Sequence, residues 1–286
     1  MTLDRDVVII GAPRSGTNML RDVITGVPGL ATWPCDEINL LWRHGNRAHP
    51  SDELGPANAS DDVCAYLRRQ FDRIRDRYDA RSVVEKTCAN SLRVGFVRRV
   101  KPEARYILIT RDGLDAATSA MARWHAPLDF GYTAAKARFV PAGDLPYYAT
   151  RFVAAAARPR RGSGQVRRWW GPRTHDAEQL MASRPLDEIC LLQWRRCVDK
   201  ARAGLAGLPD EQLHHVVYEE FVRHPEDELR RLLEFLGRPD DFEESLVSGV
   251  SSRSVGKGRA SLSSDAAQRL AALGRPTLEA LGYAAA

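Results

Sequence analysis

Residues Val7–Ile24, VVIIGAPRSGTNMLRDVI, decide the fold. Val7 to Ile10 form a short apolar run that predicts a buried strand. Gly11-Ala12-Pro13-Arg14-Ser15-Gly16 is dense in turn formers. From Thr17 onward, Met19, Leu20, Val23, Ile24 and Val27 recur at helical spacing. A strand, a small-residue loop and a helix start bring free backbone N–H groups and the helix dipole to one anion. Gly11 and Gly16 fit G-x-x-x-x-G-K-[ST], but the next two residues are Thr17 and Asn18. The lysine and the magnesium-binding hydroxyl of that motif are missing, and the cation stands inside the loop as Arg14. This predicts a phosphate loop that does not split a nucleoside triphosphate with magnesium.

Farther along, Ser82–Glu85 reads as a second buried strand, followed by Lys86 and Thr87. A lysine at the carboxyl end of a strand stands where open α/β sheets bind ligands. The segment ARYILITRDGLDAATSAMARW predicts a strand over Tyr106–Thr110 and a helix over Leu114–Trp124. Arg111 and Ser119, eight residues apart, fall at the strand end and within the helix. A guanidinium offers phosphate two parallel hydrogen bonds, and a hydroxyl adds a third.

These motifs resemble the sulfotransferases that use 3′-phosphoadenosine 5′-phosphosulfate (PAPS). PRSGTN is similar to their 5′-phosphosulfate loop, in the arginine form of the tyrosylprotein sulfotransferases and many bacterial ones. The resemblance implies that Arg14, Ser15, Gly16, Thr17 and Asn18 hold the phosphosulfate, and that Arg111 and Ser119 grip the 3′-phosphate. Lys86 would contact the sulfuryl group or leaving phosphate, although KTC stands where the family has K-T-P or K-D-P. Cys35-Asp36-Glu37 lies near the family's Gly-Glu-Glu, making Glu37 the candidate base, with Asp36 and then His44 behind it. A competing reading makes Asp36 a cap of a helix beginning near Ile38. The stretch YEEFVRHPEDELRRLLEFLGRP follows a strand at His214–Tyr218 and resembles a largely structural family segment, from which Tyr218 carries over near the adenine. SSRSVGKGRASL resembles the loop that closes over the 3′-phosphate through Lys257, Gly258 and Arg259, with Ser252 a candidate for the sulfate.

Composition bounds the rest. At 286 residues and 44% apolar content the chain can fill one large α/β domain. A formal charge of +5 suits anionic ligands without implying nucleic acid. Cys35, Cys64, Cys88, Cys190 and Cys197 include no Cys-x-x-Cys pair, so reduced thiols and no metal site are expected. With a strand starting near Met1 and no apolar run of membrane-spanning length, a cytoplasmic protein is expected, as monomer or homodimer.

Ser60 precedes a helical stripe running Val63, Leu67, Phe71, Ile74 and Tyr78, and Pro185–Leu205 predicts another helix. Residues 126–184 are less regular and form the candidate acceptor-binding or lid insertion. Between Leu145 and His175 there are seven arginines and no acidic residue: Arg151, Arg158, Arg160, Arg161, Arg167, Arg168 and Arg173. They read either as a solvated basic excursion or as attraction for an acidic acceptor or the anionic donor. The expected fold is one domain over 1–286, a mostly parallel sheet flanked by helices, like the nucleotide-kinase-like fold of sulfotransferases. The expected reaction moves a sulfuryl group from PAPS to a hydroxyl or amine of a small molecule, carbohydrate or natural product, leaving adenosine 3′,5′-bisphosphate. A magnesium-dependent nucleotide or small-molecule kinase is the alternative, and a non-catalytic nucleotide binder a third.

Overall fold

A computed structural model of the chain describes residues 5–125, 142–148, 150 and 169–283. Strand β1 (Val7–Ile10) is buried along its whole length. Alternate side chains of a strand point to opposite faces, and both faces here are covered. Val8 and Ile10 join one apolar cluster, Val7 and Ile9 another. Around β1 lie β2 (Leu30–Ala31), β3 (Ser82–Lys86), β4 (Arg105–Thr110) and β5 (Leu213–Val217) in the order β2-β3-β1-β4-β5. All the pairings are parallel, with Ile9 beside Lys86 and Ile10 beside Leu108. Parallel strands need crossover connections, and helices on the faces supply them.

Helix α1 (Thr17–Thr25) packs on the face of Val7 and Ile9. The short α2 (Asn39–Trp42), α3 (Asp61–Tyr78) and α4 (Val94–Val100) cover the opposite face, where Trp42, Phe71 and Phe96 meet edge to face. The Ser60 hydroxyl accepts from Val63 N–H, so α3 starts where a capping serine predicts. α5 (Gly113–His125) follows β4. After α6 (Ala177–Ser183), α7 (Leu186–Leu205) packs against α5 and, through Ala201 and Leu205, against the α3–α4 face. α8 (Tyr218–Arg223) and α9 (Pro225–Phe235) join the α1 face. α10 (Lys257–Ala260) is a single turn, and α11 (Ser264–Ala280) closes a third cluster with α5 and α7.

The main departures from the expected elements are local. α2 begins at Asn39 without a side-chain cap, so Asp36 is not the capping residue. The strand expected over His214–Tyr218 ends at Val217, and Tyr218 opens α8. β2 has two residues, too short to leave an alternating pattern, and is set by pairing to Ser82 and Val83. Residues 126–141, 149 and 151–168, with the arginines from Arg151 to Arg168, lie outside the described residues.

Candidate active site

The C-terminal ends of β1, β3, β4 and β5 open onto one cavity of about 870 Å³. In open parallel sheets this edge is where ligands bind, because helix N-termini and loop N–H groups converge there. The first wall is the loop after β1. Gly16 is the N-cap of α1, at φ 87°, and no side chain caps the helix. The N–H groups of the first turn, including those of Thr17 and Asn18, are therefore available to a ligand. Arg14 also has positive φ, 67°, a conformation costly for a residue with a Cβ and found mostly where function requires it. A Cβ at Gly16 would come within 2.4 Å of the Tyr218 ring, so glycine is needed there both for conformation and for space.

Arginines converge on this loop. Arg14 Nε donates to Ser119 Oγ at 2.9 Å. Arg111 donates to the carbonyls of Arg14 (3.0 Å) and Ser254 (2.8 Å), and lies over the Tyr218 ring at 4.5 Å. Burial, then the charges of Arg123 and Arg111, lower the Arg14 pKa from its ordinary value. Like charges so placed oppose one another unless an anion lies among them. The Ser15 hydroxyl and Arg111 Nε are buried without a hydrogen-bond partner among the described residues. Buried unsatisfied donors are expensive; together with the uncapped helix they fit a ligand with several anionic oxygens.

The segment after Val250 is stitched to α5. Tyr218 and Ser254 share a hydrogen bond of 2.5 Å, and Asp115 accepts from the N–H groups of Gly256 and Arg259. A Cβ at Gly258 would meet the Asp115 backbone at 2.8 Å. Lys257 and Gly258 line the cavity, whereas the Arg259 guanidinium pairs with Asp112, the carboxylate that accepts from the first N–H groups of α5. Ser254 lines the cavity and Ser252 does not.

The opposite wall comes from β3 and the turn before α2. Lys86 Nζ donates to Glu37 Oε1 at 3.3 Å, and Cys88 N–H approaches the same oxygen at 3.4 Å. Burial opposes the charge on Lys86, but Glu37 and the other negative neighbours together outweigh it and the Lys86 pKa is raised. Lys86 is therefore a fixed cation, and Glu37, a quarter exposed, is the carboxylate that faces the cavity beside it. Asp36 also lines the cavity and is held by Arg21. His44 is not among the lining residues: its ring stacks on Tyr66 and Nδ1 bonds Asp144. Thr17 Oγ1 lies 3.6 Å from Cys88 Sγ, which stands where the family pattern has proline.

Behind this wall Glu85 is sealed. It accepts from Trp42 Nε1 (3.0 Å) and Asn90 Nδ2 (2.8 Å), and burial raises its pKa. Arg93, fully buried, donates to Asn90 and Asn39 and lies 3.7 Å from Asp52. Asp52 also receives Arg43 and the backbone N–H of Arg173. This chain of bonds fixes α2, and with it the Glu37 turn, to the end of β3.

Residues Asp115, Thr118, Arg123 and Ser254 line the cavity without having been singled out in the sequence. Helical spacing along α5 from Arg111 through Asp115 and Ser119 to Arg123 is a signal that could have found two of them. For Ser254 no local pattern exists, because loops place side chains without a period.

The family model described as "Sulfotransferase family" matches residues 6–168 and 165–244. Among curated proteins none matches. Solved structures similar to this chain include the sulfotransferase domain from the curacin biosynthetic pathway, at 15% identity and TM-score 0.56 over 99% of each chain. Another is the sulfotransferase domain from the olefin synthase of Synechococcus PCC 7002, at 18% identity and TM-score 0.56 over 98% of this chain and 95% of that one. A third is a sulfotransferase from Alicyclobacillus acidocaldarius, at 20% identity and TM-score 0.50 over 97% and 95%. At such identities the likeness is one of fold. Among the described residues, no helix is long and apolar enough to cross a membrane.

Proposed function

The chain belongs to the sulfotransferase family, and on that premise we propose that it transfers a sulfuryl group from PAPS to a hydroxyl or amine of a small-molecule or carbohydrate acceptor. Family membership sets aside the magnesium-dependent kinase reading. The observation that carries the donor assignment is the convergence of the β1 loop, Arg14, Arg111 and Ser119 on one cavity, with Ser15 Oγ and Arg111 Nε unpartnered among the described residues. The loop N–H groups from Ser15 to Asn18 hold the 5′-phosphosulfate. Arg111, Ser119, Lys257 and Gly258 hold the 3′-phosphate, and Tyr218 stands beside the adenine. Arg259 acts on this site through Asp112, and Ser254 takes the place expected of Ser252.

Glu37 accepts the acceptor's proton as the acceptor oxygen or nitrogen bonds to sulfur. The bond from sulfur to the bridging phosphate oxygen breaks, and its electron pair leaves with adenosine 3′,5′-bisphosphate. Arg14 and Lys86 stabilise the charge that grows on the transferring group and that oxygen. Thr87 Oγ1 accepts from Ile38 N–H at 3.2 Å, which keeps the base beside Lys86. The whole chain acts as one domain, with residues 126–184 serving as acceptor-binding lid, and it works in the cytoplasm.

Thermal unfolding with nucleotides tests this. Adenosine 3′,5′-bisphosphate raises the melting temperature, and ADP, lacking the 3′-phosphate, does far less. Equal stabilisation by ATP with magnesium would refute the donor assignment.

A further inference from the structure

Helix α5 runs along the cavity like a ruler. Asp115, Thr118 with Ser119, and Ala122 with Arg123 all line it, at successive turns of one face. Each turn advances about 5.4 Å. At the N-terminal end Asp115 holds the Lys257–Gly258 segment, and in the middle Ser119 meets Arg14. One turn beyond the Arg14 contact stands Arg123, exposed, with no hydrogen bond or ion pair among the described residues. The other wall at hand is Trp170-Gly171-Pro172, braced by Trp169 against Trp124 and by Gln193 against the carbonyls of Trp170 and Pro172.

Most other charges of the cavity are occupied. Lys86 is paired with Glu37, Arg111 with Asp115 and two carbonyls, and Asp36 with Arg21. Arg123 instead adds positive charge beside Arg14 without a carboxylate to offset it. At about 870 Å³ the cavity is near the upper end of small-ligand sites, large enough for a nucleotide and a second molecule. The donor's two anionic ends already have the β1 loop and the Arg111–Lys257 end.

We propose that Arg123 determines acceptor specificity: the acceptor carries an anionic group, a carboxylate or equivalent, that Arg123 binds while the acceptor's hydroxyl faces Glu37. This rests on the sulfotransferase reading and deepens it. It does not depend on the arginines outside the described residues.

The test is a set of matched acceptors differing in one charge: 4-hydroxybenzoate against 4-hydroxybenzamide, and glucuronic acid against glucose, each with PAPS. In the wild type kcat/KM favours the charged member of a pair by about ten-fold or more. Arg123→Ala erases that ratio, Arg123→Lys keeps part of it, and Arg123→Glu reverses it. The wild-type ratio also shrinks as salt is raised, which a merely structural arginine would not produce. Affinity for adenosine 3′,5′-bisphosphate changes little in all three variants. An unchanged ratio in Arg123→Ala, no turnover of either charged member by the wild type, or a loss confined to donor affinity overturns the proposal. If adenosine 3′,5′-bisphosphate fails to stabilise the wild type, the sulfotransfer reading fails and takes this one with it. Stabilisation with an unchanged ratio overturns this one alone.

Discussion

The two walls of the cavity handle charge in opposite ways. On the β1–β4–α5 wall, Arg14, Arg111 and Arg123 crowd together, and their hydrogen bonds go chiefly to a hydroxyl and to carbonyls. On the β3–α2 wall the buried charges are largely paired: Lys86 has Glu37, Glu85 accepts from Trp42 and Asn90, and Arg93 lies 3.7 Å from Asp52, although its Nη1 makes no hydrogen bond among the described residues. The first wall gathers like charges, which a bound anion would relieve. The second is largely paired without a ligand, which would suit a base that must hold its place during proton transfer. A site for group transfer needs both, one to receive charge and one to keep geometry.

The contrast breaks most visibly at Arg93. Its side chain is fully buried, and burial pulls its pKa down to about 10. Arg93→Met removes the donors to Asn90 and Asn39 and one of the two cations beside Asp52, which keeps Arg43, so urea unfolding should show a loss of about 3 kcal/mol. A change within error would mean that the second wall does not depend on its pairing.

Arg14 should behave in the reverse manner. Arg14→Ala lowers turnover by about 10²–10³ because charge on the leaving oxygen goes unmet, with donor affinity falling much less. Arg14→Lys restores part, since an ammonium cannot reproduce the two-pronged contact. Without ligand, Arg14→Gly should be more stable than the wild type by about 1 kcal/mol, having shed like-charge crowding and a positive φ. Steady-state kinetics and thermal unfolding check both halves. If turnover at saturation survives in Arg14→Ala, the arginine serves the ground state only.

Glu37→Gln tests the second wall's chemistry. Turnover should fall by about 10², with the melting-temperature shift from adenosine 3′,5′-bisphosphate preserved. Wild-type turnover would transfer the role to Asp36, which also lines the cavity, since His44 is engaged with Asp144 and His125 does not line it.

The smallest effect concerns the strap that positions Trp170–Pro172. Burial pushes the Glu53 carboxyl up, but hydrogen bonds from His175, Arg196 and Lys200 outweigh it and hold the pKa at about 2 instead of 4.5. A depressed carboxyl stabilises the fold fully above 4.5, and that contribution is lost as pH falls toward 2. Glu53→Gln should therefore be less stable than wild type at pH 7, with the gap closing below 4.5. A gap independent of pH would show that the pairing does not fasten the strap.

What the sequence determined by itself is the part that local rules govern. The run VVII, the loop GAPRSG and the helix after it are contiguous, so their periodicity and turn chemistry announced the sheet's centre and pointed to the candidate anion site. Arg111 and Ser119 could be paired on paper because one helix carries the second at a countable distance from the first. Glu37 and Lys86 were each nominated from a family pattern, but their contact spans 49 positions and no spacing rule measures that. Only the tertiary structure decided that Glu85 is sealed while its neighbour Lys86 faces the cavity, since strand alternation says that they differ and not which is which. It alone turned Arg259 toward Asp112, put Ser254 rather than Ser252 against the cavity, pressed Tyr218 against Gly16, and set Arg123 beyond Arg14 with no counter-charge among the described residues. Each of these depends on which elements pack together, and packing is a property of the whole chain that no window of sequence contains.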